Sequence, residues 1–210
     1  MARLTEDDFF NRIDEEFSWR RREIILYTGK IPDAQTDIQR VMLRAGIPFI
    51  YAHWEGYVKT CMSLYLRYIS ELQLSHEKLT IPFVALSLTN SINEFDSSDI
   101  RKKVKFLELM MLKVNARSNI PKKNIINTKS NLRYDVFKEI MFNVDLNHHG
   151  FESKGEVINS LVDARNHIAH GEYKNISHGT FMSFHDEVLN LLEQIKSIIE
   201  NSILNKDYLR

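Results

Sequence analysis

The chain has 210 residues, of which 43% are hydrophobic, enough for one buried core. Lysine and arginine together number 28, as do aspartate and glutamate, so the formal net charge is zero and no overall field attracts the molecule to nucleic acid. This composition excludes a disordered chain and a uniformly basic nucleic-acid-binding protein, so any polyanion site must be local.

The single cysteine and the first residues bear on the cellular compartment. Cys61 alone cannot form an intramolecular disulfide, which favours a reducing cytoplasm. Residues 1–10 lack the basic start and apolar core of a signal peptide, and no apolar run reaches the roughly 18 residues that span a bilayer. We therefore expect a soluble, cytoplasmic protein without a membrane partner.

The first half of the chain predicts two long helices. Thr5 and Asp8 have the spacing of a capping box and open a helix over residues 6–28, which Gly29 and Pro32 end. A second helix is predicted from about residue 34 to about residue 74, with Asp33 as its cap. Pro48 should kink or break that helix near residue 46, because proline removes a helix hydrogen bond and clashes with the preceding turn.

The second half predicts shorter helices, each opened by a candidate capping residue. These starts are Thr80 or Ile81 with Pro82, Ser97 or Ser98, Ser130 and Ser153. A last helix is predicted from about Thr180 to about Asn205, with one broad apolar face made by Phe181, Phe184, Val188, Leu191, Leu192, Ile195, Ile198 and Ile199. Gly171 is predicted to end the helix that Ser153 opens. The predicted fold is an all-α bundle of four to five core helices. We expect residues 1–210 to form a single domain, with a helical insertion over about residues 75–150.

The middle of the chain is basic although the whole is neutral. Residues 101–133 contain ten lysines and arginines and a single acidic residue, Glu108. Such a run is either a solvated helix face and loop or a phosphate-contacting surface, and the sequence leaves both interpretations open. The candidate RNA-binding residues of the second interpretation are Lys102, Lys103, Lys105, Lys122 and Lys123.

The stretch LVDARNHIAHGEY, residues 161–173, adds polar groups to an apolar helical stripe. The stripe consists of Val157, Leu161, Ala164 and Ile168. Arg165 falls at its edge, and His170 would lie about 140° from Arg165 if the helix continued. One straight helix cannot present both to one spot. Either the chain turns at Gly171 and brings His170 back, or two copies of the helix share a site across a two-fold axis.

These residues carry a resemblance to a known family. Arg165, Asn166 and His170 match the R-N-x-x-x-H form of the motif of HEPN domains, the higher eukaryotes and prokaryotes nucleotide-binding superfamily. Three further segments are similar to the prokaryotic branch of short stand-alone proteins often found beside defence genes. They are FSWRRREI (residues 17–24), YAHWEGYVK (residues 51–59) and NTKSNL (residues 127–132).

The resemblance implies a HEPN-like bundle that forms a homodimer with a metal-independent endoribonuclease site and no cofactor. It further implies a toxin or defence protein, with a cognate antitoxin or defence-system protein as partner. Cleavage of RNA without a metal needs two proton transfers and a cation for the phosphorane. His170 suits the proton transfers, Arg165 the phosphate, and Asn166 the orientation of either. The expected products are a 2′,3′-cyclic phosphate and a 5′-hydroxyl, and DNA should be inert.

Other polar residues have auxiliary interpretations. We expect Glu55 to pair with Arg165 and orient it. His167 is either an auxiliary RNA ligand or a surface or dimer contact, and Tyr173 either contacts phosphate or packs after the turn. His148 and His149 are adjacent but lack two further ligands at suitable spacing, so no metal site is expected.

Two other classes of function stay open. One is a non-catalytic HEPN module that binds RNA or nucleotides, or that only dimerises. The other is an all-helical scaffold or immunity-type partner whose motif is a helix end at a dimer interface. The presence of Arg165, Asn166 and His170 together favours the enzyme, because a site without turnover has no chemical need for all three.

Overall fold

The computed structural model describes residues 3–93, 99–122 and 125–210. Within these ranges the chain forms eight α-helices, two 3-10 helices and no β-strand, which confirms the predicted all-α fold. The α-helices are α1 (Glu6–Thr28), α2 (Asp37–Leu72), α3 (Ile81–Ser87), α4 (Thr89–Asn93), α5 (Ile100–Lys113), α6 (Tyr134–Asn143), α7 (Gly155–Ala169) and α8 (His178–Asn205). The 3-10 helices are His76–Lys78 and His149–Lys154.

Helix α2 is the centre of the bundle. Helices α1, α7 and α8 pack against it, and α1 also contacts α8. The aromatic side chains of α2 form the middle of the core, and the predicted apolar face of α8 is buried against them, with Ile198 only partly covered. Fully buried aromatics of α2 are Tyr51, Trp54, Tyr57 and Tyr65. None of the helices in the described ranges is long and apolar enough to cross a membrane.

The start of α1 is confirmed and the start of α2 is not. The Thr5 hydroxyl accepts the Asp8 N–H, and the Asp8 carboxylate accepts the Thr5 N–H, as in a capping box. Helix α2 is capped by Thr36, whose hydroxyl accepts the Gln39 N–H at 3.1 Å, so the prediction of Asp33 as its cap is wrong. The Gln39 amide donates to the Pro32 carbonyl at 2.7 Å, which folds residues 32–36 into a separate turn.

Of the predicted kink or break at Pro48, the break does not occur. The helix is continuous over Asp37–Leu72 with Pro48 inside it. A Cβ added at Gly46 would lie 2.8 Å from the Tyr27 ring and closer still to the Phe181 ring. Packing from both sides therefore stabilises the continuous helix at the position where proline removes a hydrogen bond, because tertiary contacts outweigh local propensity.

Helix starts in the second half are partly confirmed. Thr80 is the N-cap of α3. The predicted caps Ser97 and Ser98 lie outside the described residues, and Asp99 caps α5. The prediction of Ser130 as a cap is wrong, because α6 begins at Tyr134, whose N–H donates to the Asn159 side chain at 3.0 Å. Ser153 is also not a cap, since it lies within the 3-10 helix that runs into α7.

The insertion is attached to the carboxyl end of α2. None of the described residues of α5 is buried. The buried His76, which follows α2, holds the chain at the end of α5: its Nδ1–H donates to the carbonyls of Lys113 and Ala116, each at 2.9 Å. Helix α5 of the basic middle is therefore an outlying element at one end of the bundle.

Candidate active site

Arg165 lies on the buried side of α7, facing α2. Its guanidinium carbon is 4.4 Å from the centre of the Tyr51 ring, and Nη2 is 4.0 Å from the Glu55 carboxylate. The side chains of Arg165 and Glu55 are only 24% and 19% exposed. The structure thus brings Glu55 to Arg165, as expected, at a distance that weakens the Coulomb attraction without removing it.

The buried face of α7 is wider than the predicted stripe, so the prediction that Arg165 lies at its edge is wrong. Ile158 and Val162 are buried together with Leu161 and Ala164, whereas Val157 and Ile168 are only partly buried. At about 100° per residue, these positions centre on the direction of Arg165. The reason is that α6 packs on α7 beside α2, and both neighbours cover it.

A loop before α6 supplies further partners to the guanidinium. Nη1 donates to the Asn131 side-chain oxygen at 3.3 Å, and Nη2 donates to the Ser130 carbonyl at 3.1 Å. Nη1 also donates to the Asn166 side-chain oxygen at 2.7 Å. The second motif residue therefore orients the arginine. These three acceptors are neutral, so Glu55 is the one described group of this cluster that offsets the positive charge of Arg165.

The loop has an uncommon backbone. Lys129 and Ser130 are consecutive non-glycine residues in the left-handed region, with φ of 53° and 56°. Each such residue costs about 1–2 kcal/mol, which surrounding contacts must offset. The Asn127 side chain accepts the Lys129 N–H at 2.8 Å, and the Tyr51 hydroxyl accepts the Leu132 N–H at 2.7 Å. These bonds hold the loop in the conformation that directs the Ser130 carbonyl at Arg165.

His170 lies at the carboxyl end of α7, where the helix closes as predicted. Gly171 has φ +80°, its N–H donates to the Ile168 carbonyl at 3.1 Å, and the Glu172 N–H donates to the His167 carbonyl at 2.9 Å. This pair of bonds is a Schellman motif, which needs a left-handed residue at the glycine. The His170 ring is exposed and, among the described residues, has no hydrogen bond or ion pair. No contact within the described chain joins it to Arg165.

The two other motif-proximal candidates lie around this turn. The His167 ring donates to the Asp163 carbonyl at 2.7 Å, and its Nε2 is 3.6 Å from the Glu172 carboxylate. Tyr173 is 79% exposed, and its backbone neighbour Glu172 accepts a hydrogen bond from Arg44 of α2 at 2.8 Å. His167 thus belongs to the helix end, while Tyr173 is open to solvent.

Burial keeps the tyrosine under Arg165 neutral. It raises the pKa of Tyr51 to about 12, with the Glu55 charge adding to the rise, although the hydrogen bond from the Leu132 N–H opposes it. Tyr51 therefore stays a phenol over the whole physiological range. It holds the arginine by a cation–π contact and the loop by its oxygen lone pair.

The described members of the predicted RNA-binding set lie far from the motif, beyond the carboxyl end of α2. Lys102, Lys103 and Lys105 are on α5, Lys122 forms an ion pair with Glu71 at 3.2 Å, and Lys123 lies outside the described residues. Glu71 follows Glu55 by 16 residues, about 24 Å along the helix axis. The structure does not bring the four described lysines to Arg165 within one chain.

The second and third segments that carried the resemblance meet at the motif, and the first packs on another face of α2. Arg20 of the first segment donates to the His53 carbonyl at 3.5 Å, and a Cβ at Gly56 would lie 2.7 Å from its guanidinium. The third segment holds Arg165 through Ser130 and Asn131, two partners that the sequence reasoning did not identify. The sequence signal that could have identified them is the run of consecutive polar residues just before the start of α6. No cluster of three His, Cys, Asp or Glu in the described ranges could hold a metal ion.

Comparison with known protein families gives a match over most of the chain. A protein-family model described as RiboL-PSP-HEPN matches residues 15–201. The matched range extends from α1 into α8 and includes Arg165, Asn166 and His170. No curated protein and no solved structure gives a significant match.

Proposed function

We propose that this chain, which belongs to the RiboL-PSP-HEPN family, is a metal-independent endoribonuclease whose site is shared by two copies. HEPN families include nucleotide-binding proteins and ribonucleases. The observation that carries the proposal is that α7 holds its two motif residues in different environments. Arg165 is fixed on the inner face, whereas the His170 ring is exposed at the helix end without a partner in the described chain. A second copy facing the first would bring both groups to one phosphate.

The chemistry balances with these side chains alone. One His170 takes the proton of the ribose 2′-hydroxyl as the 2′-oxygen attacks phosphorus, and the second copy's His170 protonates the departing 5′-oxygen. The bond from phosphorus to the 5′-oxygen breaks, leaving a 2′,3′-cyclic phosphate and a 5′-hydroxyl. Arg165 stabilises the phosphorane, because its neutral neighbours leave its charge only partly offset. Asn166 keeps the arginine in place.

RNA cleavage in EDTA tests the activity. The wild-type protein is expected to cut single-stranded RNA to cyclic-phosphate ends and to leave DNA intact. His170→Ala and Arg165→Ala should each lower the rate at least about 100-fold. His149→Ala is the matched control, since His149 is an exposed histidine near the opposite end of α7. Intact RNA with the wild type, or equal cutting by His170→Ala, would show that the protein is not this ribonuclease.

Mixing of inactive variants tests the shared site. After verified subunit exchange, Arg165→Ala and His170→Ala protomers should together recover part of the activity, because the shared site of the mixed dimer then holds one Arg165 and one His170, with water making the proton transfer of the missing histidine. Sedimentation should show a dimer at the assay concentration. A monomer, or no recovery, contradicts a site built from two chains.

We also propose a toxin or defence role, with a cognate antitoxin or defence-system protein as partner. Induction in bacteria should stop growth with the wild type and not with His170→Ala at equal expression. Normal growth with the wild type would refute the toxin role and leave the ribonuclease assay to stand by itself.

The second candidate function is a non-catalytic RNA-binding or dimerisation module. One observation favours it: the Arg165 guanidinium lies over Tyr51 and donates to Ser130, Asn131 and Asn166, as in a structural clamp between α2, α7 and the loop. In that case Arg165→Ala should lower the stability of the fold, and the wild-type protein should show no RNA cleavage.

A further inference from the structure

Two adjoining grooves lie between the start of α2 and the segment that joins α7 to α8. Their volumes are about 420 and about 490 Å³. Arg40, Asn175 and Ile176 line both, and the second is also lined by Arg44, Tyr173 and Lys174. We refer to the two together as the α2 groove. Its size is that of a site for several groups of an extended ligand.

The α2 groove begins where the motif ends. Arg44 donates to the carbonyl of Glu172 at 2.8 Å, and its guanidinium carbon lies 5.8 Å from the centre of the Tyr173 ring. Glu172 and Tyr173 follow His170 by two and three residues. A ligand with a phosphate at His170 would therefore have its next groups at the groove.

The groove also shares a face of α2 with the Arg165 contact. At about 100° per residue, Arg44, Tyr51 and Glu55 lie within about 60° of Arg40 around the helix. Tyr51 is seven residues beyond Arg44, about 10 Å along the axis of a helix that is unbroken between them. One side of α2 thus carries the groove at its amino end and the partners of Arg165 further along.

The charges of the groove suit an anionic chain. Arg40, Arg44 and Lys174 outnumber Asp33 and Asp37 among the lining residues. Lys174 forms no ion pair in the described part of the chain, and the Nε of Arg44 is buried without a hydrogen-bond partner among the described residues. Asp37 pairs with Arg40 and so competes with any incoming phosphate.

An exposed aromatic ring stands at the same place. Tyr173 is 79% exposed and lies at the rim of the cationic lining. Cations that follow a backbone, with an aromatic ring on which a base can stack, are the combination that single-stranded nucleic acid uses. An apolar peptide or a compact anion would need no such ring beside spaced cations.

We propose that the α2 groove binds the single-stranded RNA adjoining the phosphate at His170. Arg44 and Lys174 contact phosphates, Arg40 does so in exchange for Asp37, and Tyr173 stacks on a base. The inference rests on the proposed function for its ligand. It assigns RNA contacts to residues outside both the motif and the basic middle.

Binding is measured in the His170→Ala background, so that the RNA stays intact. A labelled RNA of about 12 nucleotides is titrated by fluorescence anisotropy at several salt concentrations. Lys174→Gln and Tyr173→Leu should each weaken binding about tenfold. Lys174→Gln should also reduce the salt slope by about 0.7, and Asp37→Asn should tighten binding. Lys59→Gln, which changes an exposed lysine elsewhere on α2, is the matched control and should bind RNA as tightly as the background protein.

The outcomes separate this inference from the proposed function. If Lys174→Gln and Tyr173→Leu bind RNA as tightly as the His170→Ala background protein, or if the protein binds no RNA at all, the proposed RNA site in the α2 groove is refuted. If the wild type still cleaves RNA in that case, the ribonuclease stands without it. If Lys174→Gln and Tyr173→Leu weaken RNA binding but the wild type never cuts RNA, the RNA site in the α2 groove is supported and the ribonuclease is refuted.

Discussion

The guanidinium of Arg165 stacks over the ring of Tyr51, with 4.4 Å between its central carbon and the ring centre. The hydroxyl of the same tyrosine accepts the Leu132 N–H at 2.7 Å. One buried side chain of α2 therefore supports the arginine and also the loop that supplies its other partners. The environment of the motif is thus set by a residue more than a hundred positions before it.

Tyr51→Phe separates these two tasks. The ring stays under Arg165, but the buried Leu132 N–H loses its acceptor, at a cost of about 1–3 kcal/mol. Urea denaturation should show this loss in the free energy of unfolding. Tyr173→Phe, which removes a hydroxyl from an exposed ring, should leave the unfolding midpoint unchanged. Equal midpoints for wild type and Tyr51→Phe would contradict a structural role of the hydrogen bond.

Asn131 is predicted to act as a positioning residue for Arg165. Asn131→Ala removes an acceptor of the guanidinium and should lower kcat for RNA about tenfold with a smaller change in KM, because a displaced cation loses mainly transition-state stabilisation. Asn131→Gln keeps a neutral amide acceptor and should retain more of kcat than Asn131→Ala. If both variants lose activity in proportion to their loss of thermal stability, the residue is only structural.

Glu71 should make the fold sensitive to acid. Burial of this carboxyl raises its pKa, but hydrogen bonds from Arg67, the Leu4 N–H and Lys122 outweigh that effect and lower the pKa from 4.5 to about 2. Between these values the unfolded chain binds more protons than the folded one, so stability rises with pH there and is lost as pH falls through that window.

The matching measurement compares thermal unfolding of wild type and Glu71→Gln from about pH 6 down to about pH 2. The variant should be less stable at pH 6, by on the order of 1–3 kcal/mol, and the difference should shrink as Glu71 becomes protonated. Glu139→Gln removes an exposed ion pair with Lys129 and should show a much smaller difference. A constant difference across the range would mean that Glu71 does not titrate in this window.

Gly171→Ala should destabilise the end of α7. The residue has φ +80°, where a Cβ costs about 1–2 kcal/mol, although nothing in the described chain lies within 4 Å of the position a Cβ would take. Gly150→Ala is the matched control, because its surroundings are equally open and its φ is not in the left-handed region. Equal unfolding midpoints for the two variants would rule out strain at the Schellman turn.

The predictable parts of this fold are those decided by neighbours in the sequence. The capping box of α1 and the apolar face of α8 follow from residues three to four apart, and both are confirmed. Asp33 failed as a cap because the Gln39 amide binds the Pro32 carbonyl and moves the helix start to Thr36. Either residue type can cap, so only the folded turn decides between them.

The surroundings of Arg165 needed contacts between distant segments. Periodicity gave the orientation of α7 only to within the width of its apolar stripe, and α6 widened that face. Asn131 lies 34 positions before Arg165, and the contact between their side chains cannot be derived from residue spacing along one helix. The resemblance had grouped the contributing segments without indicating which atoms meet.

The contact between Arg165 and Ser130 uses a backbone carbonyl, at a residue with φ of 56°. The serine hydroxyl plays no part in this contact. Selection for the contact therefore acts on the backbone conformation at this position and not on the side chain. Related chains are then expected to differ in identity here while favouring glycine, asparagine or aspartate, whereas Tyr51 and Asn131 contribute side-chain atoms and have fewer substitutes. A search for invariant letters would overlook one of the arginine's partners.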